Sequence, residues 1–115
     1  MMTNHRYTKH DWRLYNSVAK FKPLKDGLVS VEVRGDWQTV RCYGNVIFRR
    51  NAVTQYWEAA MWGCNRHWLL EKVNACLHAV NADVRLYDEG RRFALVRAGG
   101  ASRWYRDSFN SEVFK

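Results

Sequence analysis

Proline is almost absent from this chain. Pro23 is the only one in 115 residues, and no repeat or low-complexity stretch accompanies it, so nothing reads as a linker and residues 1–115 form one domain. Cysteine is scarce and odd in number. Cys42, Cys64 and Cys76 lack paired spacing, which excludes a disulfide framework and fits reduced thiols in a reducing compartment. No apolar run approaches the ~18 residues of a membrane span, and no charged-then-apolar leader opens the chain, so the expectation is a cytoplasmic protein without a membrane partner. Acids are few as well, 11 Asp and Glu against 19 Lys and Arg, which excludes an acidic mimic of nucleic acid. Missing too are a phosphate-cradling glycine loop, GxSxG and HExxH. A non-catalytic protein with no cofactor is expected.

What the chain has in excess is positive charge and large rings. The formal charge is +8, and six Trp and six Tyr accompany it, while 47% of the residues are apolar. The apolar share suffices for a core at this length. A small basic protein is attracted to polyanions, which makes nucleic acid the first partner to consider. Trp and Tyr serve cores, interfaces and base-stacking platforms equally well.

Local patterns give the element order. Thr8 and Asp11 have the spacing of a capping box, Leu14, Val18 and Phe21 follow at helical spacing, and Pro23 stops the run, which predicts a helix over about 9–20. Residues 28–34, LVSVEVR, alternate as a strand. Gly35-Asp36 and Gly44-Asn45 read as two-residue turns that join it to WQTVRCY and VIFRR in a three-stranded antiparallel meander. That register places Val29, Val31, Val33, Val40, Cys42 and Ile47 on one face. The other face receives Arg34, Trp37, Arg41, Tyr43, Phe48 and Arg50.

From Asn51 to Asn81 two apolar stripes at helical spacing lie nearly opposite each other and change over at Gly63-Cys64-Asn65. This predicts a kinked or split helical segment, about 53–62 and 66–80, with one continuous helix as the alternative. Val84 to Arg97 reads as a C-terminal hairpin turning at Asp88-Glu89-Gly90. Gly99-Gly100 turns again, and SRWYR offers a sixth strand, while residues 1–7 and about 108–115 read as flexible. The fold class is α+β in two layers. Cys64, His67, Cys76 and His78 do not make a zinc site: on a helix over 66–80, His67 and His78 stand roughly 16 Å apart along the axis.

Residues 41–48, RCYGNVIF, resemble the aromatic RNP1 element of the RNA-recognition-motif family at Arg41, Tyr43, Gly44, Val46 and Phe48. The resemblance implies a sheet face that stacks on RNA bases. Cys42 and Asn45 depart from the pattern, no first strand precedes the first helix, and Gly-Asn between alternating residues is a hairpin signal. The segment is therefore read as a turn that leaves a basic, aromatic sheet face. On that face Trp37, Tyr43 and Phe48 are candidates for stacking, and Arg34, Arg41, Arg49 and Arg50 for phosphates. Arg91, Arg92, Arg97, Arg103 and Arg106 form a second basic cluster on the C-terminal hairpin. The leading expectation is a small binding protein for nucleic acid, DNA or RNA, or for a nucleoprotein complex, mainly through backbone contacts. The alternative is a protein–protein inhibitor or adaptor of the phage or mobile-element kind, like anti-CRISPR proteins in size and style, that grips a host protein through Trp and Arg hot spots.

Overall fold

A computed structural model describes residues 7–60, 66–88, 93–97, 103–104 and 108–114. The chain forms an α+β domain with the order α1 (Lys9–Ala19), β1 (Leu24–Asp26), β2 (Val29–Arg34), β3 (Trp37–Cys42), β4 (Asn45–Asn51), β5 (Trp57–Ala60), α2 (Arg66–Ala79), β6 (Val84–Asp88), β7 (Phe93–Arg97), β8 (Arg103–Trp104) and β9 (Ser108–Asn110), followed by a 3₁₀ turn at Ser111–Phe114. Six strands make one antiparallel sheet in the order β1-β2-β3-β4-β5-β9, and β6-β7-β8 make a second, smaller one. No helix among the described residues is long and apolar enough to cross a membrane.

The first helix begins as its sequence dictates. Thr8 Oγ1 accepts from Asp11 N at 3.2 Å while Asp11 Oδ2 accepts from Thr8 N at 2.9 Å, completing the capping box. Such caps contribute about 0.5–2 kcal/mol. Leu14 and Val18 face the core. The helix ends in a Schellman motif, with Lys22 N donating to Ser17 O at 2.9 Å and Phe21 N to Val18 O at 3.2 Å. Phe21 holds the left-handed position, φ 55°, that glycine usually fills.

The meander forms with two shifts of register. The first turn is Gly35-Asp36 as expected, because Arg34 pairs with Trp37. The second is Tyr43-Gly44, one residue earlier than Gly44-Asn45, because Cys42 pairs with Asn45 and both central residues have positive φ, the type I′ pattern. A β-bulge follows: Arg41 pairs with Val46 but Val40 pairs with Phe48, leaving Ile47 as the extra residue. Ile47 and Phe48, though consecutive, are therefore both buried. Strict alternation had put Phe48 and Arg50 on the outer face. The bulge reverses the parity of β4 and turns both toward the core side.

In place of the expected helix over 53–62, the described residues 53–60 form a turn and a strand. Asn51 Oδ1 accepts from Val53 N at 2.9 Å and Thr54 N at 3.0 Å, and Asn51 N donates to Tyr56 O at 2.8 Å, closing a hairpin loop instead. Residues 57–60 then extend as β5, with Trp57 and Ala59 buried and Glu58 and Ala60 half-buried. The tail read as flexible supplies β9, where Phe109 pairs with Ala59 and packs edge-on to Trp57 at 5.8 Å. The hairpin of β6 and β7 and the further strand β8 are present. The expected turns at 88–90 and 99–100, and the tip 1–6, lie largely or wholly outside the described residues.

The helices cover one face of the large sheet. One core cluster joins Leu14 and Val18 of α1, the inner faces of β2 to β5, Phe109, and Leu69, Val73, Cys76 and Leu77 of α2 with Val84 and Leu86 of β6. Because α2 is packed on several sides, its buried polar residues need partners. Lys72 donates to Asp11 Oδ1. Asn74 clamps the β6 backbone, donating to Leu86 O at 3.0 Å and accepting from Leu86 N at 2.8 Å, as a neighbouring strand would.

Candidate functional site

The other face of the large sheet is its outer surface, and the register sets what stands there. Glu32, Thr39, Arg49, Glu58 and Asn110 form one cross-strand row over five strands. Arg34 and Trp37 form the row beside it, and Ser30 and Arg41 the row on the other side. Lys25 of β1 pairs with Ser30 and extends the face to the sheet edge. All of these are half-buried or exposed.

Arg49 is the centre of the face. Its Nε lies 3.1 Å from Glu58 Oε2, and its guanidinium lies 4.3 Å over the Trp37 ring. Tyr56 stands edge-on to Trp37, with ring centroids 6.3 Å apart, and its hydroxyl donates to Glu58 Oε1 at 2.8 Å. Burial, and then that bond to a carboxylate, hold the Tyr56 hydroxyl above its ordinary range. Arg41 reaches Glu32 at 3.5 Å. The face thus carries Lys25, Arg34, Arg41 and Arg49 against Glu32 and Glu58, with Trp37 and Tyr56 set among them. Between β1 and β2 it dips into an open depression of about 570 Å³ bordered by Lys25, Glu32 and Arg41.

The structure gathers some of the residues singled out above and disperses others. Arg34, Trp37, Arg41 and Arg49 share the outer face. Tyr43 sits at the turn, 59% exposed, with its ring 6.0 Å from that of Trp68. Phe48 is 1% exposed and stacks on Trp57 inside the core, so it is corrected from a base-stacking candidate to a core residue. Arg50 is likewise corrected: its Nη2 donates to Val18 O at 2.5 Å and its Nε to Gln38 Oε1 at 3.0 Å, spending the guanidinium on the end of α1. Arg97 pairs in register with Val84, and Arg103 with Val96 beside Arg85. Arg91, Arg92 and Arg106 lie outside the described residues.

Two groups escaped the sequence reading. Tyr56 and Glu58 fall within the expected helix over 53–62, and only their alternation with Trp57 and Ala59 carries the contrary signal. Lys9 and Arg13 of α1 and Lys20 at its C-cap recur at helical spacing opposite Leu14 and Val18. Among the described residues no group of three or more His, Cys, Asp or Glu is placed to hold a metal ion. Comparison of the chain with protein-family models, with curated proteins and with solved structures finds no match.

Proposed function

We propose that this protein binds nucleic acid through the outer face of its large sheet and performs no chemistry on it. The observation that carries this reading is the half-buried to exposed outer face on which Trp37 and Tyr56 stand among Lys25, Arg34, Arg41 and Arg49. Aromatic rings on such a face stack on bases at about 1–3 kcal/mol each, and cations beside them take the phosphates. The ion pairs of Arg41 and Arg49 do not oppose this, because exposed pairs are worth about 0–1 kcal/mol and a phosphate can replace Glu32 or Glu58. Arg49 already covers one side of Trp37, so a base stacks on the other side or displaces the guanidinium.

Fluorescence anisotropy with labelled DNA and RNA over a salt series tests this reading. The expected result is binding that weakens steeply with salt and falls at least tenfold in Trp37→Ala and in Arg41→Ala. Absence of binding near 100 mM salt would refute it. A second reading, docking on a protein target, is favoured by exposed Leu28 and Tyr43, which meet at one end of the sheet where Tyr43 N donates to Leu28 O at 3.0 Å. Capture of a partner that is lost in Tyr43→Ala and insensitive to salt would select it.

A further inference from the structure

The outer face accounts for only part of the positive charge. On the far side of the molecule the solvent side of α1 presents Lys9, Arg13 and Lys20, continued by Lys22 after the helix, and all four are exposed. In the helix the three basic positions lie within about 40° of one another around the axis and span roughly 16 Å along it. The only acid between residues 7 and 25 is Asp11, which is buried on Lys72. Asp26, the next acid along the chain, is held by His10 at 2.8 Å and Arg13 at 3.4 Å. This stripe therefore sets Asp26 alone against its four cations, where the sheet face sets two acids against four, and Trp12, 42% exposed, stands at its side.

The two basic surfaces meet at one place. α1 packs on the inner face of the sheet, whereas Trp37 and Arg49 belong to the outer face, and β1 is the edge strand between them. Lys22, exposed, stands two residues before this edge strand, and Lys25 on the strand borders the depression between β1 and β2. We infer that the ligand is a single strand of nucleic acid that passes from the outer sheet face round the β1 edge and along α1, with the lysines holding its phosphates. This inference rests on the nucleic-acid reading above. Duplex DNA, with a persistence length of about 50 nm, does not turn through such a path on a body whose longest extent is 36 Å. A single strand does, and it offers its bases to Trp37 on one side while its backbone follows the lysines on the other.

The test uses the whole protein with labelled oligo-dT and oligo-U of about 4 to 16 nucleotides, a range typical of small binding folds, and a duplex of matching length. Anisotropy is read across a salt series for the wild type, for Lys9→Gln/Lys20→Gln/Lys22→Gln and for Trp37→Ala, with thermal melts to show that each variant is folded. The expected result is affinity that rises with strand length and exceeds that for the duplex at least tenfold. In the triple variant, the slope of log K against log salt should fall by about 2, since each single-strand phosphate contact contributes about 0.7. An unchanged slope in the triple variant, with binding still lost in Trp37→Ala, overturns the wrapped path and leaves the sheet face standing. A duplex that binds as tightly as the single strand, or heparin that competes equally, also overturns it. A wild type that binds no probe removes both readings together.

Discussion

Phe48 and Trp37 show how one residue's place decides its meaning. Both are large rings in neighbouring strands, but Phe48 is closed into the core against Trp57 while Trp37 lies under the Arg49 guanidinium at the surface. Truncating Phe48 to alanine should therefore cost about 3–5 kcal/mol in urea unfolding. Trp37→Ala, whose main effect is on binding, should cost clearly less. The Thr8–Asp11 cap was legible because it needs only four consecutive residues. The burial of Phe48 was not, since it depends on an extra residue in β4 that only pairing with β3 reveals. Asp26 carries a pH signature of its own. A hydrogen bond from His10, with the charges of His10 and Arg13 behind it, holds its carboxyl below the ordinary aspartate range. A carboxylate whose pKa is depressed on folding contributes stability above its unfolded pKa, and that contribution fades as pH falls through the folded value. Acid melts should show stability declining below about pH 4, with a shallower decline in Asp26→Asn.

At the scale of elements, α1 is fastened at both ends by side chains from distant parts of the chain. At its end, Gln38 Nε2 donates to Ser17 O at 3.0 Å and Lys22 O at 3.1 Å, and Arg50 donates to Val18 O while resting 5.0 Å over the Phe21 ring. A cation is favoured at a helix C-terminus, and Arg50 supplies one from the sheet. Removing it in Arg50→Ala strands the Gln38 and Val18 oxygens and should cost about 2–4 kcal/mol in thermal or chemical unfolding, with nucleic-acid affinity unchanged. At its start, Asp11 and Lys72 form a buried pair, with Lys72 also 4.8 Å over Trp68. Lys72→Met leaves a buried carboxylate without its cation and should cost about 3–5 kcal/mol, of which adding Asp11→Asn recovers a part. The strands joined by two-residue turns could be read directly, because turn chemistry and alternation agree. β1 and β9 are three residues each, too short to show a period, and Trp57 to Ala60 fit a helical stripe as well as a strand until Asn51 closes the loop ahead of them.

For the whole molecule, the +8 charge is divided unevenly. The sheet face sets Glu32 and Glu58 among its four cations, whereas the α1 side has Asp26 alone. Reversing that balance by Glu32→Gln/Glu58→Gln should leave two cations on the outer face without partners and tighten nucleic-acid binding by about two- to fivefold at low salt, as read by the same anisotropy titration, with the gain vanishing at high salt. Such a partition could not be seen in composition, which counts charges without saying which ones already face each other. The pairing of Ala59 with Phe109 has a different kind of consequence. Fifty positions separate the two partners, so β5 cannot acquire its outer neighbour until the segment at 108–110 has left the ribosome. Until then its edge stands open beside Trp57, a strand template for any other nascent copy. Ending the chain before Ser108 should raise the share that accumulates as aggregates, read by centrifugation of the lysate against the chain that runs through residue 115.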